Sequence, residues 1–266
     1  MPYLSVSGGP RPHYDQVGDG PPLIVLPGGP GMDVRYLGDL GGLSATRRLI
    51  RLDARGGGRS EVPADPAAVS FRAQAEDVEA LRRHLGLATI DLLAHSAGTL
   101  TAQEYAVTRP ARVRRLILVT PIGRAGRDID PDELAEIRGR RSGEPWYPAA
   151  AAARGPFAQA LTAAFHWHRW TPEHRREYVP AHVNPHPWYR EAFYAGPATP
   201  GPVRAPVLVL AGASDGMIGT AGARAVAAAH PDTRLTVMTE SGHRPWTEQP
   251  ALFRELVGGF LDATGP

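Results

Sequence analysis

Residues 90–98 read Ile90-Asp91-Leu92-Leu93-Ala94-His95-Ser96-Ala97-Gly98. An apolar run stops at a serine set among small residues, and Ala97 to Thr108 reads as a helix behind it. Strand, abrupt turn and helix is the setting of a nucleophile elbow. Such a turn forces the serine into a strained backbone conformation that bulky neighbours would obstruct. The general pattern is G-x-S-x-G, and Ala94 stands at its first position here. A plainer reading makes Ser96 a helix N-cap.

Working outward, five more apolar runs punctuate the chain. They are Leu23 to Leu26, Arg48 to Leu52, Leu116 to Val119, Val207 to Leu210 and Leu235 to Met238. Short continuous apolar runs read as parallel strands buried on both faces. Between them lie amphipathic stretches. Phe71 to Leu85 places Ala75, Val78, Leu81 and Leu85 on one face, Ala221 to Ala229 precedes the last run, and Ala251 to Leu261 closes the chain. Strand alternating with helix predicts an α/β fold: a mostly parallel, doubly wound sheet with right-handed crossovers. Tyr3 to Val6 and Pro12 to Val17 are expected as an antiparallel hairpin at one edge.

The alternation stops after Pro121. Residues 123–202 contain no strand-like run but hold Trp146, Trp167, Trp170 and Trp188, four of the five tryptophans. So many aromatics argue against a disordered linker. The stretch is expected as a helical cap between late strands, over a core made of 1–122 and 203–266. Ala149 to Ala153 reads as a helix start or a joint. His166-Trp167-His168 has the H-x-H form of a metal pair, but on a helix its rings point about 200° apart. It is read as cap packing, with no metal site expected. His95 is read as packing behind the elbow.

Two later residues complete a chemical constellation. Asp215 follows the fifth run and His243 follows the sixth. A serine hydroxyl needs an imidazole to take its proton, and the imidazole needs a carboxylate to fix its tautomer and stabilise its cation. Strand ends at one edge of a parallel sheet converge in space, so Ser96, Asp215 and His243 are expected to meet. Pro27-Gly28-Gly29-Pro30-Gly31 follows the first run. The N–H groups of Gly29 and Ala97 are expected to form an oxyanion hole, unless the glycines are only a strand-ending turn.

Composition removes other classes. Apolar residues make up 42% of 266 and the formal net charge is +2, too apolar and too neutral for a disordered chain. All 29 basic residues are arginine, interspersed with 27 acidic ones, so no nucleic-acid partner is expected. There is no cysteine, which excludes thiolate chemistry and disulfides. No membrane partner is expected, since no apolar run reaches the 18 or more residues of a span. Met1 to Pro10 lacks a signal-peptide pattern. The expectation is a cytoplasmic enzyme with a small-molecule substrate and no cofactor, its oligomeric state undetermined.

These motifs together resemble the α/β-hydrolase superfamily, and within it the proline iminopeptidase-like group. That group carries H-G-G-P-G after an early strand and D-x-R-G-x-G-x-S after the next, matched by Gly28 to Gly31 and by Asp53 to Ser60. The resemblance spans residues 20–120 and 203–262. It implies that Asp53 and Arg55 pin the loop at the pocket edge. Pro27 replaces the group's histidine and Ala94 its elbow glycine. Aminopeptidases of the group bind the substrate amine with cap carboxylates. Glu133, Glu136, Glu144, Glu173, Glu177 and Glu191 are the candidates here. Substrate contacts are expected from Gly28, Trp146, Trp167, Trp188 and Tyr189. The reading is a serine hydrolase of esters, lactones, thioesters or small amides acting through an acyl-enzyme. A lyase, transferase or cyclase for a small hydrophobic metabolite, or a non-catalytic receptor, would use the same scaffold.

Overall fold

A computed structural model describes residues 3–4, 9–123, 128–154, 158–178 and 182–263. Its centre is a seven-stranded sheet in the order β1-β3-β2-β4-β5-β6-β7. The strands are β1 (Tyr14–Val17), β2 (Pro22–Leu26), β3 (Arg48–Leu52), β4 (Ile90–His95), β5 (Val113–Val119), β6 (Val207–Gly212) and β7 (Thr233–Met238). Only β1 runs antiparallel, pairing Tyr14 with Leu52 and Val17 with Leu49. Of the expected edge hairpin, Leu4 N–H bonds the Pro12 carbonyl at 2.8 Å, and the second piece continues as β1 on β3. Tyr3 makes an isolated antiparallel bridge to His13, and Ser5 and Val6 lie outside the described residues.

The central strands are apolar throughout because alternate side chains feed two cores. Ile24, Leu92, Leu118 and Val209 face one side, where they meet Val78, Leu81, Tyr105 and Val226. Leu23, Leu93, Ile117 and Leu208 face the other, against Trp246, Phe253 and Val257. Helices α1 (Phe71–His84), α2 (Gly98–Thr108) and α8 (Ala221–Ala229) cover the first face. The short α9 (Pro245–Glu248) and α10 (Pro250–Asp262) cover the second. The Ser70 hydroxyl caps α1 by accepting from Ala73 N–H. Strand β7 departs from the both-faces-buried expectation. It is the sheet edge, and Val237 is 41% exposed.

Register places the site. Leu26 pairs with Ala94, His95 with Val119, Val119 with Leu210 and Gly212 with Met238. The loops carrying Gly28, Ser96, Asp215 and His243 therefore leave the same edge of the sheet. Between β5 and β6 the described residues form only helices and irregular turns. The helices are α3 (Pro131–Gly139), α4 (Tyr147–Ala152), α5 (Ala158–Thr162), α6 (Pro172–Glu177) and α7 (Tyr189–Phe193).

Candidate active site

Ser96 has φ +50°, a left-handed conformation that is uncommon for a side-chain-bearing residue. Its N–H still bonds the Val119 carbonyl at 2.9 Å, so the sheet ladder is kept while the chain turns into α2. The turn demands small neighbours on both sides. A Cβ on Gly98 would stand 2.2 Å from the Pro27 carbonyl, and one on Gly28 would stand 2.8 Å from Ser96 Cβ. Ala94 fits at the first motif position because it is buried within β4 and needs no positive φ.

His243 and Asp215 are joined by a 2.7 Å bond between Nδ1 and Oδ2, with the carboxylate wholly buried. Asp215 Oδ1 accepts from the N–H groups of Met217 and Ile218 at 2.9 and 3.2 Å. The carboxylate is thus held by its own loop while its second oxygen faces the imidazole. His243 N–H bonds the His166 carbonyl at 2.6 Å, and its own carbonyl accepts from His95 Nε2 at 2.9 Å and from Thr120 Oγ1 at 3.2 Å. Ser96 and His243 both line a cavity of about 450 Å³.

His95 does more than pack. Its Nε2 meets a carbonyl, which accepts only, so Nε2 carries the proton. Nδ1 is then an acceptor, and the Tyr36 hydroxyl donates to it at 2.6 Å. The same hydroxyl oxygen accepts from Gly28 N–H at 2.7 Å. One buried chain therefore runs from the glycine loop through Tyr36 and His95 to the backbone of His243. Burial, with His243 nearby, pushes the His95 pKa well down, so the ring is neutral. Tyr36 has no motif around it to announce this role.

The glycine loop leaves Gly29 at φ +116° on the cavity wall. Among the described residues, the N–H groups of Gly29 and Ala97 have no acceptor. Asp53 and Arg55 are engaged structurally. Asp53 Oδ1 accepts from Val34 N–H at 2.9 Å and its Oδ2 meets His13 Nδ1 at 3.0 Å. Arg55 forms a two-pronged pair with Asp77 at 2.6 and 2.7 Å. Asn184 clamps this framework from above, its Nδ2 donating to the carbonyls of Gly31 and Gly56 at 3.2 and 3.0 Å.

The family described as alpha/beta hydrolase fold matches residues 21–149. A proline iminopeptidase of Heyndrickxia coagulans is 34% identical over 121 residues, 45% of this chain and 42% of that protein. A human (lyso)-N-acylphosphatidylethanolamine lipase is 28% identical over 92% of this chain and 80% of that protein. An esterase from Rhodococcus sp. ECU1013 superposes with a TM-score of 0.76 at 23% identity, covering 99% of this chain and 98% of that one. The chain has the α/β-hydrolase fold, and part of its sequence is proline iminopeptidase-like. The likeness to the iminopeptidase spans under half of that protein's length.

Within this α/β-hydrolase fold the expected substrate contacts divide. Tyr189 lines the cavity and donates its hydroxyl proton to the Arg55 carbonyl at 2.6 Å. Gly28, Trp146, Trp167 and Trp188 are absent from the wall. Gly28 is pressed against Ser96 and His95. Trp146 packs edge-on against Phe165 under Arg141, Trp167 is buried against His174, and Trp188 stacks between His186 and Tyr189. The wall is instead built largely of aliphatic and histidine side chains, including His166, expected as cap packing. Met217 and Ile218 are also among them. His166 and His168 point to different partners. His166 sits edge-on to His243, whereas His168 Nδ1 meets Ser214 Oγ at 2.8 Å.

Four of the six candidate carboxylates are engaged elsewhere. Glu133 accepts from Thr220 N–H, Ala221 N–H and the Thr220 hydroxyl. Glu136, Glu144 and Glu173 pair with Arg140, Arg141 and Arg176. Among the described residues no Asp or Glu lines the cavity. Among them, too, no helix is long and apolar enough to cross a membrane.

Proposed function

We propose that the chain is a serine hydrolase acting on esters or lactones, with thioesters and small amides within its chemical reach. Ser96 attacks the carbonyl, His243 takes the hydroxyl proton and returns it to the leaving group, and Asp215 holds the imidazole and offsets its charge. The N–H groups of Gly29 and Ala97 stabilise the developing oxyanion. Water then resolves the acyl-enzyme by the same steps in reverse. The observation that carries this reading is the buried Asp215–His243 pair facing one cavity with a serine held at φ +50°. The esterase and lipase relatives support ester chemistry. The lack of a described carboxylate on the wall favours substrates without a free amine.

A fluorophosphonate probe tests the nucleophile. We expect stoichiometric labelling that maps to Ser96 and disappears in Ser96→Ala. That variant should lose at least a thousandfold in kcat on p-nitrophenyl esters. Undiminished turnover by Ser96→Ala would refute the assignment.

A further inference from the structure

Next to His243 on the cavity wall stands Arg244. It is 5% exposed, and among the described residues its guanidinium makes no hydrogen bond and no ion pair. Its Nε is fully buried without a partner. Its described neighbours are aromatic: the Tyr36 ring 4.9 Å from the guanidinium carbon and the Trp167 ring 5.4 Å from it. These rings hold the cation but offer no acceptor to its in-plane N–H groups. The side chain also borders a second, more open cleft that contains Glu177. Glu177, Tyr178 and Tyr36 act on it only through the field, and His95, His166 and His243 surround it on the core side.

A buried cation without an anion is expensive, and proteins normally pair it. Other buried arginines have partners: Arg51 pairs with Asp15 and Arg82 with Glu79, and Arg115, which pairs with no described carboxylate, donates to the Ala263 carbonyl. Arg244 departs from that pattern, and it faces the space where substrate would sit. Arg190, another arginine on the wall, lies over the Tyr194 ring and adds positive potential. We propose that Arg244 is the anchor for a carboxylate on the substrate, so that the natural substrate is an anionic ester or lactone. A planar guanidinium matches a carboxylate through two parallel hydrogen bonds, which fixes orientation as well as charge. Placed one residue from His243, such an anchor would set the distance between the substrate's carboxylate and its scissile carbonyl.

This inference rests on the serine-hydrolase reading for its chemistry but not for its binding test. Calorimetry on the native protein with glutarate and with its neutral isostere glutaramide measures the anchor directly. Glutarate should bind about 10- to 100-fold more tightly, the range expected of hydrogen bonds to a charged group. Equal binding of the two would overturn the proposal without touching the nucleophile assignment. In turnover, monomethyl glutarate should exceed dimethyl glutarate in kcat/KM. Arg244→Gln should remove that preference mainly through KM, and Arg244→Lys should restore part of it. Equal loss on both esters in Arg244→Gln would make the residue structural and overturn the anchor. Should the variants fail to fold, the native protein still decides: glutarate should protect Ser96 from the fluorophosphonate and glutaramide should not, and equal protection by both would overturn the anchor. Failure of the probe to label Ser96, with glutarate still bound, would sink the hydrolase reading alone.

Discussion

At the scale of single residues, the site depends on a tyrosine that no motif marks. The Tyr36 hydroxyl accepts from Gly28 N–H and donates to His95, and both partners are buried. Phenylalanine keeps the ring and its contact with Trp246 but strands one donor and one acceptor away from water. Each stranded group costs about 1–3 kcal/mol, so Tyr36→Phe should destabilise the fold by at least about 2 kcal/mol in urea unfolding. It should also lower kcat more than KM, because the glycine loop and the His243 backbone lose their common tie. Unchanged stability would show that the chain of bonds is idle. Ser96, Asp215 and His243 differ from Tyr36 in one respect. Each of those follows an apolar run, so periodicity and order alone bring them to one sheet edge. Tyr36 and His95 are 59 positions apart, and no local pattern reports a contact of that kind. Arg244 is equally silent: a sequence shows an arginine, but not that it lacks a carboxylate.

At the scale of elements, the inserted helices are fastened to the core by side chains that cap backbone. Glu133 on α3 reaches the first turn of α8 and takes the N–H groups of Thr220 and Ala221 at 3.0 Å each. It thereby replaces an N-cap side chain that Thr220 does not supply itself. Burial opposes its charge, but Thr220 and Arg224 hold its pKa below the usual carboxylate range. Loss of a cap costs about 0.5–2 kcal/mol, so Glu133→Ala should lower stability by that amount, while Glu133→Asp, one methylene short, should not recover it. Thermal unfolding of the three proteins decides the point. The strands and long helices are legible in the sequence because their apolar spacing is dictated by the sheet. The cap is legible only as an interruption rich in aromatics. Composition points Trp146, Trp167 and Trp188 to the pocket wall, and the structure packs them among cap residues and Arg141 instead. A large apolar side chain predicts burial, not the direction in which it is buried.

For the whole molecule, the same histidine-rich centre that organises the site governs stability against acid. His95, buried, and His166, half-buried on the cavity wall, lie within ring contact of His243, at 4.7 and 5.4 Å between centroids. Burial, reinforced by His243 and Arg244, depresses both pKa values well below 6.5. Above that pH both rings are neutral whether the chain is folded or not, and they contribute no pH dependence. Below it the unfolded chain binds protons that the folded chain refuses, so stability falls as pH drops toward the folded pKa values. Each ring contributes a slope of about 1.4 kcal/mol per pH unit in that window. The buried carboxylates Asp53, Asp77, Asp91 and Glu248 act in the opposite sense, since burial raises their pKa values. Urea unfolding between pH 7 and 5 should therefore show a steep loss, to which other histidines such as His182 add in the same direction. His166→Phe should lessen the slope by about one proton, because its ring makes no described hydrogen bond that the substitution would break. A stability that stays level from pH 7 to pH 5 would mean that the unfolded chain gains no proton advantage, and that these rings accept charge where they stand.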